Sequence, residues 1–211
     1  MKKALVIGAS GLIGKELVKL LTSDQHYDSI DIIGRQLIGF SSSKIIEKKV
    51  DFAHLNETIE SNTDIFCCVG STINKAKNWD NFRKVDLEIP VKLAELCENT
   101  TNTKLLVISS IGANKNSRNK YLQMKGEMEI EISKRKIDAI IIFRPSILLG
   151  NRDERRLGES FAKFIIKLFS FLMIGPLKKY KGISAYKVAN SLITAAKSNL
   201  KGTIILESSE I

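Results

Sequence analysis

The stretch Ala4-Leu5-Val6-Ile7-Gly8-Ala9-Ser10-Gly11-Leu12-Ile13-Gly14-Lys15-Glu16-Leu17 passes from an apolar run through a glycine-rich turn into a helical pattern. Its glycines are spaced Gly-x-x-Gly-x-x-Gly. Gly8 permits a tight turn, Gly11 lets a pyrophosphate approach the backbone, and Gly14 lets the helix pack closely on the strand. The residues Ser10, Gly11, Leu12 and Ile13 bring the helix N-terminus, with its free N–H groups and positive dipole end, to the same place. Glycines serve ordinary turns as well, and this spacing departs by one residue from GxGxxG. The position between a strand and an amphipathic helix is what points to a dinucleotide.

Outward from this unit, short apolar runs alternate with segments of helical period, the pattern of repeated βα units around a parallel sheet. Strands are expected at Lys3–Ile7, Ile30–Gly34, Ser43–Lys48, Asp64–Val69, Lys104–Ser109, Asp138–Phe143 and Thr203–Leu206. Helices are expected at Leu12–Thr22, Asp80–Glu98, Asn119–Lys134, Leu157–Leu172 and Ala185–Ser198. The polar breaks Gly112–Arg118 and Leu149–Arg156 follow strands and should open at the carboxyl edge of the sheet, where open α/β folds bind ligands. The fold class is therefore α/β, a doubly wound parallel sheet of Rossmann type. It is read as one domain over residues 1–211, with the part from about 150 onward forming a small substrate-side lid.

Composition narrows the function. The chain has 211 residues, 44% hydrophobic and 27% charged, which excludes collagen-like, disordered and coiled-coil readings. No run is apolar for the roughly 20 residues of a membrane span. The start is too short for a signal-peptide core, so the expected location is the cytoplasm. A net charge of +10 favours anionic partners, but scattered lysines and 7% aromatics give no nucleic-acid stripe. The partner expected is a small-molecule substrate, with no nucleic acid, and the assembly a monomer or homodimer. Cys67, Cys68 and Cys97 have no CxxC spacing, and Cys67 and Cys68, inside an apolar strand-like run, read as reduced, buried packing. Two distant histidines, His26 and His54, remove most of the parts for zinc chemistry or a Ser-His-Asp triad.

The second strand ends Gly34-Arg35, where NAD readers usually carry an acidic residue for the ribose hydroxyl. A guanidinium there suits a 2′-phosphate, which selects NADP with NAD as the alternative; a solvated surface arginine is the plainer reading. In Val50-Asp51-Phe52, Asp51 either accepts from an adenine amine or simply ends a strand. Gly70, Ser71 and Thr72 follow the fourth strand, where glycine would let backbone lie against a cofactor ribose. Ser109 and Ser110 end the fifth. Tyr121 and Lys125, four residues apart, share a helix face. An ammonium beside a phenol favours the phenolate, and such a tyrosine can exchange a proton with an alcohol or carbonyl. YxxxK alone is weak; its weight comes from following the glycine turn and Ser-Ser in order.

On these residues the chain resembles the short-chain dehydrogenase/reductase superfamily, in its atypical branch related to the HIV Tat-interacting protein family. The resemblance rests on Gly8–Gly14, Gly34-Arg35, Val69–Thr72, Arg83–Asp86, Ile108–Ala113, Tyr121–Lys125 and Phe143–Gly150. It implies Ser110, Tyr121 and Lys125 as catalytic residues, with Tyr121 and Lys125 also touching cofactor and Arg144-Pro145 beside the nicotinamide. Asp86 stands where the superfamily commonly has Asn. The implied reaction is hydride transfer between NADP(H) and a small apolar carbonyl or alcohol. The alternative is a non-catalytic NADP(H)-sensing regulator acting through a protein partner, as some members of the branch are described. The stripe Phe161, Phe164, Ile165, Leu168, Phe169 and Leu172 reads as core and pocket wall, with a membrane-surface contact as the less favoured use.

Overall fold

Each strand of the chain's first half is followed by a connection that returns to the same edge of a sheet, so the strands stack in parallel. The structure is a computed structural model and describes residues 2–55, 57–72, 76–149 and 182–211. Among these, β1 (Lys3–Ile7), β2 (Ser29–Gly34), β3 (Ile45–Lys49), β4 (Thr63–Cys67), β5 (Lys104–Ile108), β6 (Ala139–Arg144) and β9 (Gly202–Glu207) form one seven-stranded sheet. Its order is β3-β2-β1-β4-β5-β6-β9, and every neighbouring pair is parallel. Runs such as Ala139-Ile140-Ile141-Ile142-Phe143 are buried along their whole length, as strands covered on both faces must be.

One face is covered by α1 (Leu12–Ser23) and α5 (Ala185–Lys197), which pack on each other. Helix α1 turns Ile13, Leu17, Val18 and Leu21 inward, and α5 meets it with Val188, Ala189, Leu192 and Ala196. The other face carries α3 (Ile89–Cys97) and α4 (Lys120–Ser133), through Leu93, Ala94, Cys97, Met128 and Ile132. The helix expected at Asp80–Glu98 is a composite. It runs as α2 (Trp79–Arg83), a π turn (Lys84–Glu88) and then α3. Such a turn adds a residue to the helix and rotates the segment beyond it. Between β3 and β4 the described chain contains only a 3-10 turn, Phe52–His54.

Two short strands, β7 (Leu148–Leu149) and β8 (Ile183–Ser184), pair in parallel outside the main sheet. Of the lid expected from about 150 to 211, residues 150–181, with the helix at Leu157–Leu172 and its aromatic stripe, lie outside the described residues, and the remainder carries β8, α5 and the sheet strand β9. No helix among the described residues is long and apolar enough to cross a membrane.

At the β3 edge, one side chain organises the loop that follows β2. The Glu47 carboxylate accepts N–H bonds from Ile38 (2.6 Å), Gly39 (3.2 Å) and Phe40 (2.5 Å). Desolvation pushes its carboxyl upward, but the three backbone donors outweigh that and hold it below the reference 4.5. A depressed carboxyl contributes in full above the unfolded value and loses its contribution as pH falls through the folded one. The Ile38, Gly39 and Phe40 amide resonances should therefore titrate together below pH 4.5, and Glu47→Gln should shift them at neutral pH. Within the core, Leu17 is fully buried, so Leu17→Ala should cost about 2–5 kcal/mol in denaturant unfolding.

Candidate functional site

The glycine turn after β1 is fixed by close backbone approach. Gly8 has φ +86°, and a Cβ there would lie 2.6 Å from the Cys68 carbonyl carbon and oxygen. At Gly14 a Cβ would lie 2.2 Å from the Gly8 oxygen. Neither obstacle is a side chain that can swing away, so both positions require glycine. The Gly11 N–H closes the turn on the Gly8 carbonyl at 3.0 Å. As N-cap of α1, Gly11 offers no side-chain acceptor to the first-turn N–H groups. Ser10 and Gly11 are exposed and Leu12 half-buried, while the Ile13 side chain belongs to the core.

Neighbouring segments end at the same edge. Ile33 is the register partner of Ile7, so Gly34 and the exposed Arg35 emerge beside Gly8. Asp51 caps the 3-10 turn through the Ala53 N–H at 3.0 Å, and Phe52 packs against the core under α3 and α4. After β4, the Ser71 N–H donates to Asp86 Oδ2 at 2.8 Å, and the Ser71 hydroxyl donates to the Thr72 carbonyl at 3.2 Å. A Cβ on Gly70 would make only ordinary contact with Asp86, at 3.7 Å, so sterics alone do not demand glycine there.

The two serines after β5 divide in function. Ser109 is buried and donates to Glu129, whereas Ser110 is half-buried with its hydroxyl 3.4 Å from the Ile111 carbonyl. Asn119 caps α4 by accepting from the Tyr121 and Leu122 N–H groups, which sets Tyr121 in its first turn. Gly126 admits the preceding loop: a Cβ there would sit 2.3 Å from the Lys115 nitrogen. The Tyr121 ring lies 5.8 Å from that of Phe82 on α2. One turn on, Lys125 Nζ lies 2.8 Å from Asp86 Oδ1 and 3.4 Å from the Ile108 carbonyl oxygen. Burial works to lower the Lys125 pKa, but Asp86, assisted by Tyr121, outweighs it and the net shift is upward. The ammonium stays charged throughout the neutral range.

Arg144, expected beside a nicotinamide, is held by two carboxylates. Its guanidinium forks onto Glu129, with Nε 3.0 Å from Oε1 and Nη2 2.6 Å from Oε2, and reaches Glu207 through Nη1 at 2.8 Å. It ties β6 to α4 and β9. The hydrogen bonds to Glu129, against desolvation, raise its already high pKa further. Pro145 contributes a carbonyl to the Ile111 N–H at 3.1 Å. Ser109, Glu129 and Glu207 are therefore the residues that motif reading passes over. Glu129 sits four residues beyond Lys125, the same spacing that joins Tyr121 to Lys125, and that repeat was the available signal.

The three thiols are free, and burial pushes Cys67 and Cys97 up to about 12. They are neutral packing groups, as expected. No group of three or more metal-binding side chains occurs among the described residues.

Comparison with known proteins places this geometry. The HIM1 family model matches residues 34–174. Protein HTATIP2 of Rattus norvegicus is 35% identical over 77% of this chain and 69% of its own. The mitochondrial protein FMP52-1 of Scheffersomyces stipitis is 30% identical over 98% and 89% respectively. Among solved structures, MoeE5 in complex with UDP-glucuronic acid and NAD superimposes with TM-score 0.71 at 15% identity, covering 97% of this chain and 75% of that one. A short chain dehydrogenase family protein from Francisella tularensis gives TM-score 0.60 at 16% identity, covering 100% and 98%. The yeast FMP52 relatives, 28–34% identical, are named mitochondrial, which overturns the expected cytoplasmic location. That expectation rested on reading no secretory core and no membrane-spanning run in the sequence, and neither reading bears on mitochondria. With its model matched over most of the chain and HTATIP2 at 35% identity, this Rossmann-fold chain belongs to the HIM1 family.

Proposed function

We propose that the chain is an NADP(H)-dependent oxidoreductase of the short-chain dehydrogenase type, acting on a small apolar carbonyl or alcohol. The observation that carries this reading is convergence. The glycine turn follows β1, Gly70–Thr72 follow β4, and Ser110 follows β5, and these strands are adjacent in the order β1-β4-β5. Helix α4 brings Tyr121 and Lys125 to the same edge, with Lys125 Nζ against the β5 carbonyl of Ile108. The dinucleotide fits this chain because the close backbone approach at Gly8 and Gly14 holds the exposed Ser10–Gly11 turn and the uncapped N-terminus of α1 at the sheet edge. MoeE5 carries NAD on the same fold, which is consistent with that fit.

Backbone at Gly8, Ser10–Ile13 and Gly14 would hold the pyrophosphate, and Arg35 a 2′-phosphate. Gly70, Ser71 and Thr72 would line the ribose side. When bound, the nicotinamide supplies or accepts the hydride. The chain's own part is the proton: the Tyr121 phenol gives it to, or takes it from, the substrate oxygen, and Ser110 Oγ orients that oxygen by a hydrogen bond. Lys125 keeps a fixed positive charge one turn below the phenol. Asp51 and Phe52 border the adenine side, Asp51 through its capped turn. Arg144, tied to Glu129 and Glu207, and Pro145 would border the nicotinamide side. The fungal relatives make mitochondria the compartment in which to look for the protein.

Two measurements test the reading. Titration of NADPH and NADH into the natural chain and Arg35→Ala should show tighter NADPH binding that the substitution removes. The lost charge-assisted contact should be worth about 1.5–3 kcal/mol, roughly one to two decades. Equal affinities in the natural chain would return the cofactor to NAD. In a screen of apolar aldehydes and ketones, Tyr121→Phe should retain NADPH binding and lose about 10²–10⁴ in turnover. Unchanged turnover would remove Tyr121 from the chemistry.

A further inference from the structure

We infer that β9 (Gly202–Glu207) is a docking edge for a second copy of this chain, the two β9 strands pairing antiparallel about a twofold axis at Ile204 and joining two sheets into one. The inference concerns the outer edge of the sheet and does not depend on the chemistry proposed for the site.

Strands β3 and β9 end the sheet, and they are finished differently. An edge strand offers unpaired N–H and C=O groups to an approaching chain, and soluble proteins guard it with charge, proline or a covering loop. β3 has such guards: Glu47, Lys48 and Lys49 fill its second half, and the Glu47 carboxylate holds the Ile38–Phe40 loop to it. The middle of β9, Thr203-Ile204-Ile205-Leu206, has no charge and no proline, and its ladder with β6 runs without a bulge. The Gly202 N–H donates to the Asp138 carbonyl at 2.8 Å, so alternation turns Ile204 and Leu206 to β6 as well and Thr203, Ile205 and Glu207 outward. Glu207 is closed by the following turn: its N–H donates to Glu210 Oε2 at 2.9 Å, and its carbonyl accepts from the Glu210 N–H at 2.8 Å. At the other end Gly202, with φ +71°, bends the chain out of the strand direction. The outward backbone groups of Thr203 and Ile205 have no partner among the described residues.

This open stretch is self-complementary. With the axis at Ile204, Thr203 of each copy lies opposite Ile205 of the other, and the outward N–H groups of each copy meet the outward carbonyls of its twin. Other registers fail. An axis at Ile205 sets Thr203 against the occupied Glu207, and an axis at Thr203 sets Ile205 against Lys201, beyond the bend at Gly202. The Ile204 register also puts the exposed Lys201 opposite Glu207, beside Glu210, so that opposite charges meet at both ends of the pairing. The side chains agree with it. Leu206 packs on the α1/α5 core, so alternation puts Ile205 on the α4 face, where it is 41% exposed. Pairing covers it with Thr203 of the second copy. The carboxyl edges of the two sheets then point in opposite directions, and neither copy covers the other's glycine turn. An interface built on one short strand is small, which makes the dimer weak and concentration-dependent.

The test is sedimentation velocity of the full chain from micromolar to millimolar concentration, paired with cross-linking. The natural chain should move from the 23.6 kDa of one copy toward twice that mass as concentration rises. Ile205→Lys puts a charge on an exposed position of the edge and should hold the chain at one copy over the same range, with its unfolding midpoint unchanged. Should that variant not fold, Lys201→Glu, which sets like charges against Glu207 and Glu210, should weaken the dimer roughly threefold to tenfold. Register is read by cysteine. Ile204→Cys faces its own twin across a non-hydrogen-bonded pair, where Cα atoms stand about 4.5 Å apart, and mild oxidation should give a covalent dimer. Thr203→Cys, whose twin is displaced along the strand beyond disulfide reach of about 7 Å, should stay uncrosslinked. The buried Cys67 and Cys97, held as thiols up to about 12, do not compete. A natural chain that keeps one copy's mass at millimolar concentration overturns the inference and leaves the edge to a strand of another protein. Dimerisation of Ile205→Lys at the natural strength overturns it by placing the interface elsewhere, and an Ile204→Cys chain that does not cross-link, or a Thr203→Cys chain that cross-links as readily, overturns the register.

Discussion

At the carboxyl end of β1, three stretches of backbone meet with no room for a side chain. The Cys68 carbonyl stands where a Gly8 Cβ would be, and the Gly8 carbonyl stands where a Gly14 Cβ would be. This contact couples the start of α1 to the ends of β1 and β4, the two central strands whose crossover divides the sheet. The binding capacity of the molecule depends largely on that constraint. It aims the N-terminal turn of α1 over the edge of the sheet, and it brings the segment after β4, with Gly70 and Ser71, alongside. From there the order β1-β4-β5 delivers Ser110 and the underside of α4 to the same edge.

A second constraint is electrostatic, and it sits beneath the first. Two buried carboxylates, Asp86 and Glu129, each hold a cation and a neutral donor: Lys125 and the Ser71 N–H for one, Arg144 and the Ser109 hydroxyl for the other. Burying either cation alone would be costly, and the partners offset that cost. Both pairs hang from α4 or reach it, so this helix is fixed in rotation by charge as well as by Met128 and Ile132. That fixes the direction of Tyr121, which lies outside both pairs on the helix's first turn.

Much of this architecture is legible in the sequence because it rests on periodicity. Short, β-branched apolar runs such as Lys104–Ile108 and Ala139–Arg144 read as strands covered on both faces, and Gly8, Gly11 and Gly14 name the turn. The family resemblance likewise comes from motifs in order along the chain. What sequence patterning misses is geometry that depends on a single added residue or a contact distant along the chain. The π turn at Lys84–Glu88 lies inside a stretch that reads as one continuous helix, because the helical period tolerates one slip. Arg144 and Glu207 are separated by β7, β8 and α5, so nothing local says that the arginine is occupied. The compartment is legible least of all, since the expected location rested on patterns for secretion and membrane spans, which do not bear on mitochondria.

The division between Ser109 and Ser110 shows how the two constraints combine into a site. Adjacent residues at a strand end point to opposite sides. Ser109 therefore turns to Glu129 and becomes part of the support, while Ser110 is left toward the edge where Tyr121 stands. Had the chain carried only one hydroxyl here, it would have had to serve either the buried carboxylate or a ligand. With two, the Glu129 network is satisfied without drawing on the group that faces the site. The same separation holds one helix away, where Asp86 answers Lys125 and Tyr121 lies outside that pair with its ring against Phe82. In both places a buried ionic contact occupies the residue beneath the hydroxyl that stands nearer the edge of the sheet.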